Sequence, residues 1–195
     1  MSIVLVGSTS GSITLQEPAV AGTTVLDLPA TSGTILTSAS AISASSITTG
    51  TLPKAQLPTG SVLQVVSVNN KVQTSTTVNN WIASTLAASI TPTSSTSKIL
   101  VFGHYYYRTS ASGVAVAATV YRNSTSLTSG TIGLSYNYLA STAVEMTAPF
   151  TILDSPATTS STTYTLYFRR SDDAGTAYIG NANMDSVITL LEIAA

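Results

Sequence analysis

Charge is what this sequence has least of. Only 7 basic and 8 acidic residues stand among 195, or 8% of the chain, against roughly a quarter in an ordinary soluble domain. A net charge of -1 projects no long-range field, so electrostatic capture of nucleic acid or of an anionic membrane is excluded. Cysteine is absent, which removes disulfides, thiol nucleophiles and thiolate metal sites. One histidine, His104, would have to carry any imidazole-based triad or metal centre. Long hydrophobic runs are missing as well. The N-terminal run Ile3 to Val6 has no basic residue before it and is too short for a leader or a membrane span. The expectation is a protein made in a cytosol without a cleaved leader. Helix-favouring Glu, Lys and Arg are scarce.

Hydroxyls take the place of charge. Ser and Thr make up about a third of the chain, and 44% of it is hydrophobic, enough for a core. Thr, Val, Ile and Tyr favour strands, while Ser, Gly and Asn favour turns. The composition therefore predicts an all-β protein. With neither disulfides nor surface charge to stabilise it, burial between copies is one source of stability.

Three regions follow from the pattern. In residues 1–37, Gly11, Gly22 and Gly33 recur every 11 residues. Aligned on them, Leu15 matches Leu26 and Pro18 matches Pro29, while the third copy lacks the proline. Each unit reads as a short strand from Gly to Leu, stopped by proline, and needs stacking or a partner chain to bury anything. Residues 38–60 are poor in apolar side chains and carry Pro53 and Pro58, the pattern of a linker or shaft. Ile42, Ile47, Leu52 and Leu57 fall about five residues apart and would face a common axis if three chains wound together. Residues 61–195 alternate strands with turns. Strands are expected at 62–68, 72–78, 82–90, 98–108, 114–122, 127–138, 143–153, 162–170, 176–180 and 187–193. Ten short strands at this spacing predict an antiparallel sandwich of jelly-roll type. In Ile99-Leu100-Val101-Phe102 both faces are apolar, as if one faced the partner sheet and the other a neighbouring subunit.

Several stretches are also familiar. GSITLQEPAVAGTTVLDLPATSGTILT (Gly11 to Thr37) and ITTGTLPKAQLPTGSVLQVV (Ile47 to Val66) resemble the N-terminal segment and linker of tail-fibre-like virion proteins of cyanophages and other marine phages. ITPTSSTSKILV (Ile90 to Val101), ILDSPATTSSTTYTL (Ile152 to Leu166) and ITLLEI (Ile188 to Ile193) resemble their C-terminal domain. The resemblance covers most of the chain, and its motifs are structural ones. It implies a homotrimer, located on the virion and made in the host cytoplasm. The N-terminal segment would dock to other virion proteins through Ile13, Leu15, Leu26 and Leu28. The β-sandwich head would contact a host-surface glycan or protein. The middle of the head, Gly103 to Thr147, matches nothing familiar. The alternative is a capsid or neck decoration protein without receptor binding.

No enzymatic constellation stands out, and no cofactor or metal is implied. His104 reads as a packed or interface residue. The neighbours Asp172 and Asp173 point opposite ways in an extended chain, and residues 171–175 read as a hairpin turn with Gly175 at positive φ. A glycosidase needs two converging carboxylates, and none can be paired among the scattered acids. Arg169 and Arg170 also face opposite ways. No Gly-rich phosphate cradle is present. Tyr105, Tyr106, Tyr107, Tyr121, Tyr136, Tyr138, Tyr164, Tyr167, Tyr178 and Trp81 are the richest binding vocabulary, since rings stack on sugars and anchor contacts. If each strand reverses direction, one tip collects residues 69–70, 91–97, 123–126, 154–161 and 181–185. The receptor candidates are therefore Asn69, Asn70, Asn123, Asn183 and Asp185. An even strand count returns the C-terminus to the linker side.

Overall fold

The computed structural model describes residues 2–6, 12–16, 56–141, 145–172 and 174–195. The chain divides into two units, Met1–Gly50 and Thr51–Ala195, each considered by itself. In the first unit, β1 (Ser2–Val6) pairs antiparallel with β2 (Ser12–Gln16), setting Ile3 opposite Leu15 and Leu5 opposite Ile13. β2 falls on the first repeat, and its partner strand contains the short apolar run Ile3 to Val6. The later repeats, the docking candidates Leu26 and Leu28, and most of the linker lie outside the described residues.

The second unit holds β3 (Val62–Asn70), β4 (Thr74–Thr76), β5 (Ile82–Ile90), β6 (Lys98–Thr109), β7 (Val114–Arg122), β8 (Thr125–Ser126), β9 (Ser135–Leu139), β10 (Glu145–Asp154), β11 (Thr162–Asp172), β12 (Ala177–Ile179) and β13 (Ser186–Ile193). One sheet runs β10–β6–β13–β3, with β12 and β4 continuing the last two; the other runs β5–β11–β7, with β8 and β9 both paired to the free side of β7. All ladders are antiparallel. From β4 to β5 and from each later through-strand to the next, the chain passes between the sheets, except for the step from β7 to β8 and β9. That winding is a jelly-roll sandwich.

The reversal count needs correction. β4 runs the same way as β3, because each lies antiparallel to a strand that is itself antiparallel to β6. β12 and β13 likewise share a direction, as do β8 and β9. The turn signals at Asn69–Asn70 and at residues 181–185 interrupt through-running strands without reversing them. Of the strand expected at 127–138 only the end forms, as β9; β8 precedes the expected start, and a loop separates the two. Gly133 takes φ +87 there, and a Cβ on it would press into the Trp81 ring and the Ala118 carbonyl. Eight through-strands remain. The C-terminus does return beside the linker: Gly60 N–H donates to Ala194 O (2.8 Å) and Ala194 N–H to Ser61 O (2.9 Å).

The core lies between the sheets. Period-two alternation turns Leu86, Ala88 and Ile90 of β5, Tyr164, Leu166 and Phe168 of β11, and Ile188 and Leu190 of β13 inward, against Val101, Tyr105 and Phe150. Each large side chain fully removed from water contributes about 1.5–3 kcal/mol. β7 departs from the alternation and is buried from Val114 to Val120. The loop after β8 folds back over its outer side, where Thr128 Oγ1 meets Thr119 Oγ1 (2.8 Å) and Thr131 O accepts from Arg169 (2.8 Å).

Gly103 sits in the middle of β6 because no side chain fits there. A Cβ would collide with the Val187 carbonyl and crowd the Phe150 ring. Gly103→Ala is expected to cost about 1–3 kcal/mol by overpacking, read as a lower melting temperature in thermal unfolding.

Candidate interaction face

Two poles follow from the strand directions. The near pole holds Ser61, Ala194, residues 91–97, the turn at Asn123–Ser124 and residues 155–161. The far pole holds residues 77–81, 110–113 and 174–176. The five loops expected at one tip are therefore divided, because two counted reversals, at 69–70 and at 181–185, do not occur. Asn123 is at the near pole, where it shapes a turn. Its φ is +52; its N–H donates to Thr163 O (2.8 Å), and its Oδ1 accepts from Thr163 N–H (3.0 Å).

The other four candidates do come together, beside the strand interruptions on the flank of the six-stranded sheet. Asn69 stands opposite Val187, and Asn70 opposite Ser186. Asp185 pairs with Lys71 at 3.8 Å, and the Asp185 carbonyl lies 3.2 Å from His104 Nε2. Asn183 is exposed, and its N–H donates to Asn181 Oδ1 (2.8 Å). Asn70 is fully engaged: its amide donates to Thr85 O (2.8 Å), and its oxygen accepts from Val72 N–H (2.7 Å).

Beside this polar flank runs an apolar strip. The outward residues of the six-stranded sheet align in rows. Val65, Leu191, Leu100 and Leu153 form one row straight across β3, β13, β6 and β10. Ser67, Thr189, Phe102 and Thr151 form the next, and Asn69, Val187, His104 and Pro149 the third. Val65 is 59% exposed, Leu153 54% and Phe102 37%. His104 is the one ionisable side chain in these rows, and Lys98 stands at their margin. The run 99–102 thus has the expected two apolar faces, one in the core and one open.

Three of the described carboxylates are engaged in holding the fold. Asp154 binds Arg122 Nη1 through both oxygens (2.8 and 2.9 Å) and accepts from the Tyr164 hydroxyl (2.7 Å). Burial first, and Asp154 second, raise the Tyr164 pKa, so the phenol remains a donor. Glu192, fully buried, accepts from Thr93 N–H and Oγ1 (2.7 Å each) and from Gln64 Nε2 (2.6 Å). Burial pushes its pKa upward, but the hydrogen bonds from Thr93, Ser97 and Gln64 outweigh it and hold the carboxyl below its ordinary value. Asp172 accepts from the Tyr136 hydroxyl. The expected hairpin at 171–175 is not one, since β11 and β12 belong to different sheets, and the positive φ falls on Asp172 (+63). Gly175 instead allows close approach to Val114. Among the described residues, no three His, Asp or Glu gather as metal ligands.

The aromatic set divides. Tyr105, Tyr106, Tyr107 and Tyr164 are buried, and burial pushes Tyr105 up to about 12. On the outside, ring faces are already occupied. Tyr121 and Tyr167 stack on each other at 3.9 Å, Arg169 lies 5.0 Å from the Trp81 ring, and Arg108 lies 3.8 Å from the Tyr178 ring. Tyr136 and Tyr138 are the exposed ones. Sequence reasoning reached only the β6 part of the apolar row and missed the Glu192 cluster. The signal for the row was present in the doubled steps Val65-Val66, Leu100-Val101, Ile152-Leu153 and Leu190-Leu191, which break period two.

No protein-family model matches the sequence, and no curated protein matches it. Solved structures of infectious bursal disease virus are similar in fold. The T=1 particles derived from the virus give 18% identity over 75% of this chain and 40% of that one, with a TM-score of 0.44. The Gx strain gives 16% over 67% and 32%, with a TM-score of 0.46. The VP2 subviral particle gives 17% over 68% and 38%, with a TM-score of 0.42. This chain spans no more than 40% of the length of these three chains, and likeness at this level concerns the fold alone.

Proposed function

We propose that this chain is a structural protein of a virus particle, with a jelly-roll head held at one pole. The observation that carries the proposal is the junction of the head's two ends. Gly60, Ser61 and Ala194 are tied together by two backbone hydrogen bonds, so a load on the linker meets the first and last strands of the sandwich together. The engaged acids support the same reading: Asp154, Glu192 and Asp172 serve the fold, and no pair of them is left to face a substrate. The sequence resemblance to virion fibre proteins agrees.

Within that reading, the head is foremost an assembly module of the particle. Asn70 and the side-chain oxygen of Asn123 are engaged inside the chain, and Asp185 is paired with Lys71. The fibre reading, with host contact through the head, has Asn69, Asn183 and the exposed Tyr138 in its favour. Antibody against the full chain tests both. Gold label on purified particles is the expected result, and label absent from the particle surface contradicts the proposal. Purified full-length chain is expected to leave particle adsorption to cells unchanged. Competition that Asn183→Ala abolishes would instead select the fibre reading.

A further inference from the structure

We infer that the cavity at the near pole, between the loop at 91–97 and the end of β13, is a binding site for a primary alkylammonium group. Its volume is about 410 Å³, within the roughly 300–1,000 Å³ of small-ligand sites. Leu57, Leu63, Ala194 and Ala195 give it apolar wall. Thr93 and Ser97 bring hydroxyls, and Ser94 and Thr96 complete the lining.

The polar part of the lining is short of donors. Thr93 N–H and Thr93 Oγ1 both donate to Glu192 Oε1 (2.7 Å each), and the Ser97 hydroxyl donates to the same carboxylate. Thr96 N–H donates to Ser94 Oγ (3.2 Å), Ser97 N–H to Ser94 O (3.2 Å) and Ala194 N–H to Ser61 O (2.9 Å). The Ser94 and Thr96 hydroxyls bond each other at 2.9 Å, which leaves a single hydroxyl hydrogen between them. A hydroxyl that has given its hydrogen to a carboxylate offers only lone pairs to anything else, and the carboxylate makes it a stronger acceptor. A ligand here must therefore bring the donors.

Charge narrows the choice. Glu192 lies behind Thr93 and Ser97, fully buried. The donors that reach it, Thr93, Ser97 and Gln64 Nε2 (2.6 Å), are neutral, so they solvate its negative charge without cancelling it. Lys98 stands opposite Ile193, on the outer face, while Glu192 points inward. An anionic ligand would meet the field of this carboxylate. A neutral alcohol brings one donor. An alkylammonium brings three donors and a positive charge, and its stem suits the four apolar side chains. The rigid fork of a guanidinium fits paired, coplanar acceptors, whereas separate hydroxyls fit the compact, rotatable ammonium head. The inference holds for the head whether or not the chain belongs to a particle.

The test is a titration of isotope-labelled full-length protein with butylammonium, butanol and butyrate, which share a stem. Binding is followed by nuclear magnetic resonance at the Thr93, Ser97 and Ala194 amides. Saturable shifts are expected, with butylammonium about fivefold or more tighter than butanol, the scale of one partly screened charge pair, and butyrate weakest. In Glu192→Gln the preference for the ammonium over the alcohol should vanish. Ala194→Leu fills the cavity and leaves the bonds to Glu192 in place, so it should remove binding of both, and this arm stands even if Glu192→Gln fails to fold. Acetyl-lysine amide with a free side-chain amine separates the sources: binding like that of butylammonium supports a lysine of a partner protein, and binding of butylammonium alone supports a free amine. No saturable shift, equal affinity for ammonium and alcohol, a preference that survives Glu192→Gln, or binding that survives Ala194→Leu would each overturn the inference. Loss of gold label from particles would overturn the virion proposal and leave this inference standing.

Discussion

Asp154→Ala should destabilise the head by about 3–5 kcal/mol, the scale for removing one partner of a buried ion pair. At roughly 2–4 °C per kcal/mol for a chain of this size, the melting temperature should fall by about 6–20 °C. The Asp154 side chain is only 9% exposed and its partner Arg122 28%. They join the end of β10 to the end of β7, and the Tyr164 hydroxyl adds the start of β11. Removing the carboxylate leaves a guanidinium and a phenol short of their acceptor at once. Tyr164→Phe removes one hydrogen bond and should cost about 0.5–1.5 kcal/mol. Thermal unfolding followed by near-ultraviolet circular dichroism measures both. Equal losses for the two variants would mean that Arg122 finds another partner.

Glu192→Ala is expected to cost about 2–4 kcal/mol, because buried donors lose their acceptor. Thr93 N–H, Thr93 Oγ1 and Gln64 Nε2 all point at this one carboxylate, and through it the loop at 91–97 is fastened to the last strand. The pH dependence has a definite sign. A carboxyl held below its ordinary value of 4.5 stabilises the fold fully above that value. The contribution is lost as pH falls through the lower, folded value. The native chain should therefore lose stability on acidification from about pH 5 to pH 3 more steeply than Glu192→Gln, whose amide cannot titrate. Denaturant melts at a series of pH values give the comparison, and parallel curves would show that the carboxyl titrates normally.

These clusters explain what could be read from the sequence and what could not. Strands were legible because period-two alternation and Asn, Gly and Pro turns are local signals; β5 begins and ends where alternation starts and stops, and β7 is bounded by the turns at Ser112-Gly113 and Asn123-Ser124. Direction was not legible. Asn69-Asn70 looks like a reversal, yet the chain steps aside at Lys71 and continues as β4. Only pairing with β12 and β13, more than 100 residues away, decides that. The same miscount scattered the tip candidates, sending Asn123 to the near pole while Asn69 and Asp185 met on the sheet flank. Glu192 was hidden for a related reason. Its alternation marks an inward position, but its donors Gln64 and Thr93 come from distant parts of the chain. The open apolar row was half legible, through Ile99-Leu100-Val101-Phe102, because a strand apolar on both faces needs cover on both.

The most direct test of the central claim is to count copies of the chain in purified particles by quantitative mass spectrometry against the major capsid protein. A virion structural protein predicts a fixed copy number that survives gradient purification and high salt, and is the same from one preparation to the next. Loss of the chain from particles during purification, or a copy number that varies with the amount of free protein, would contradict it.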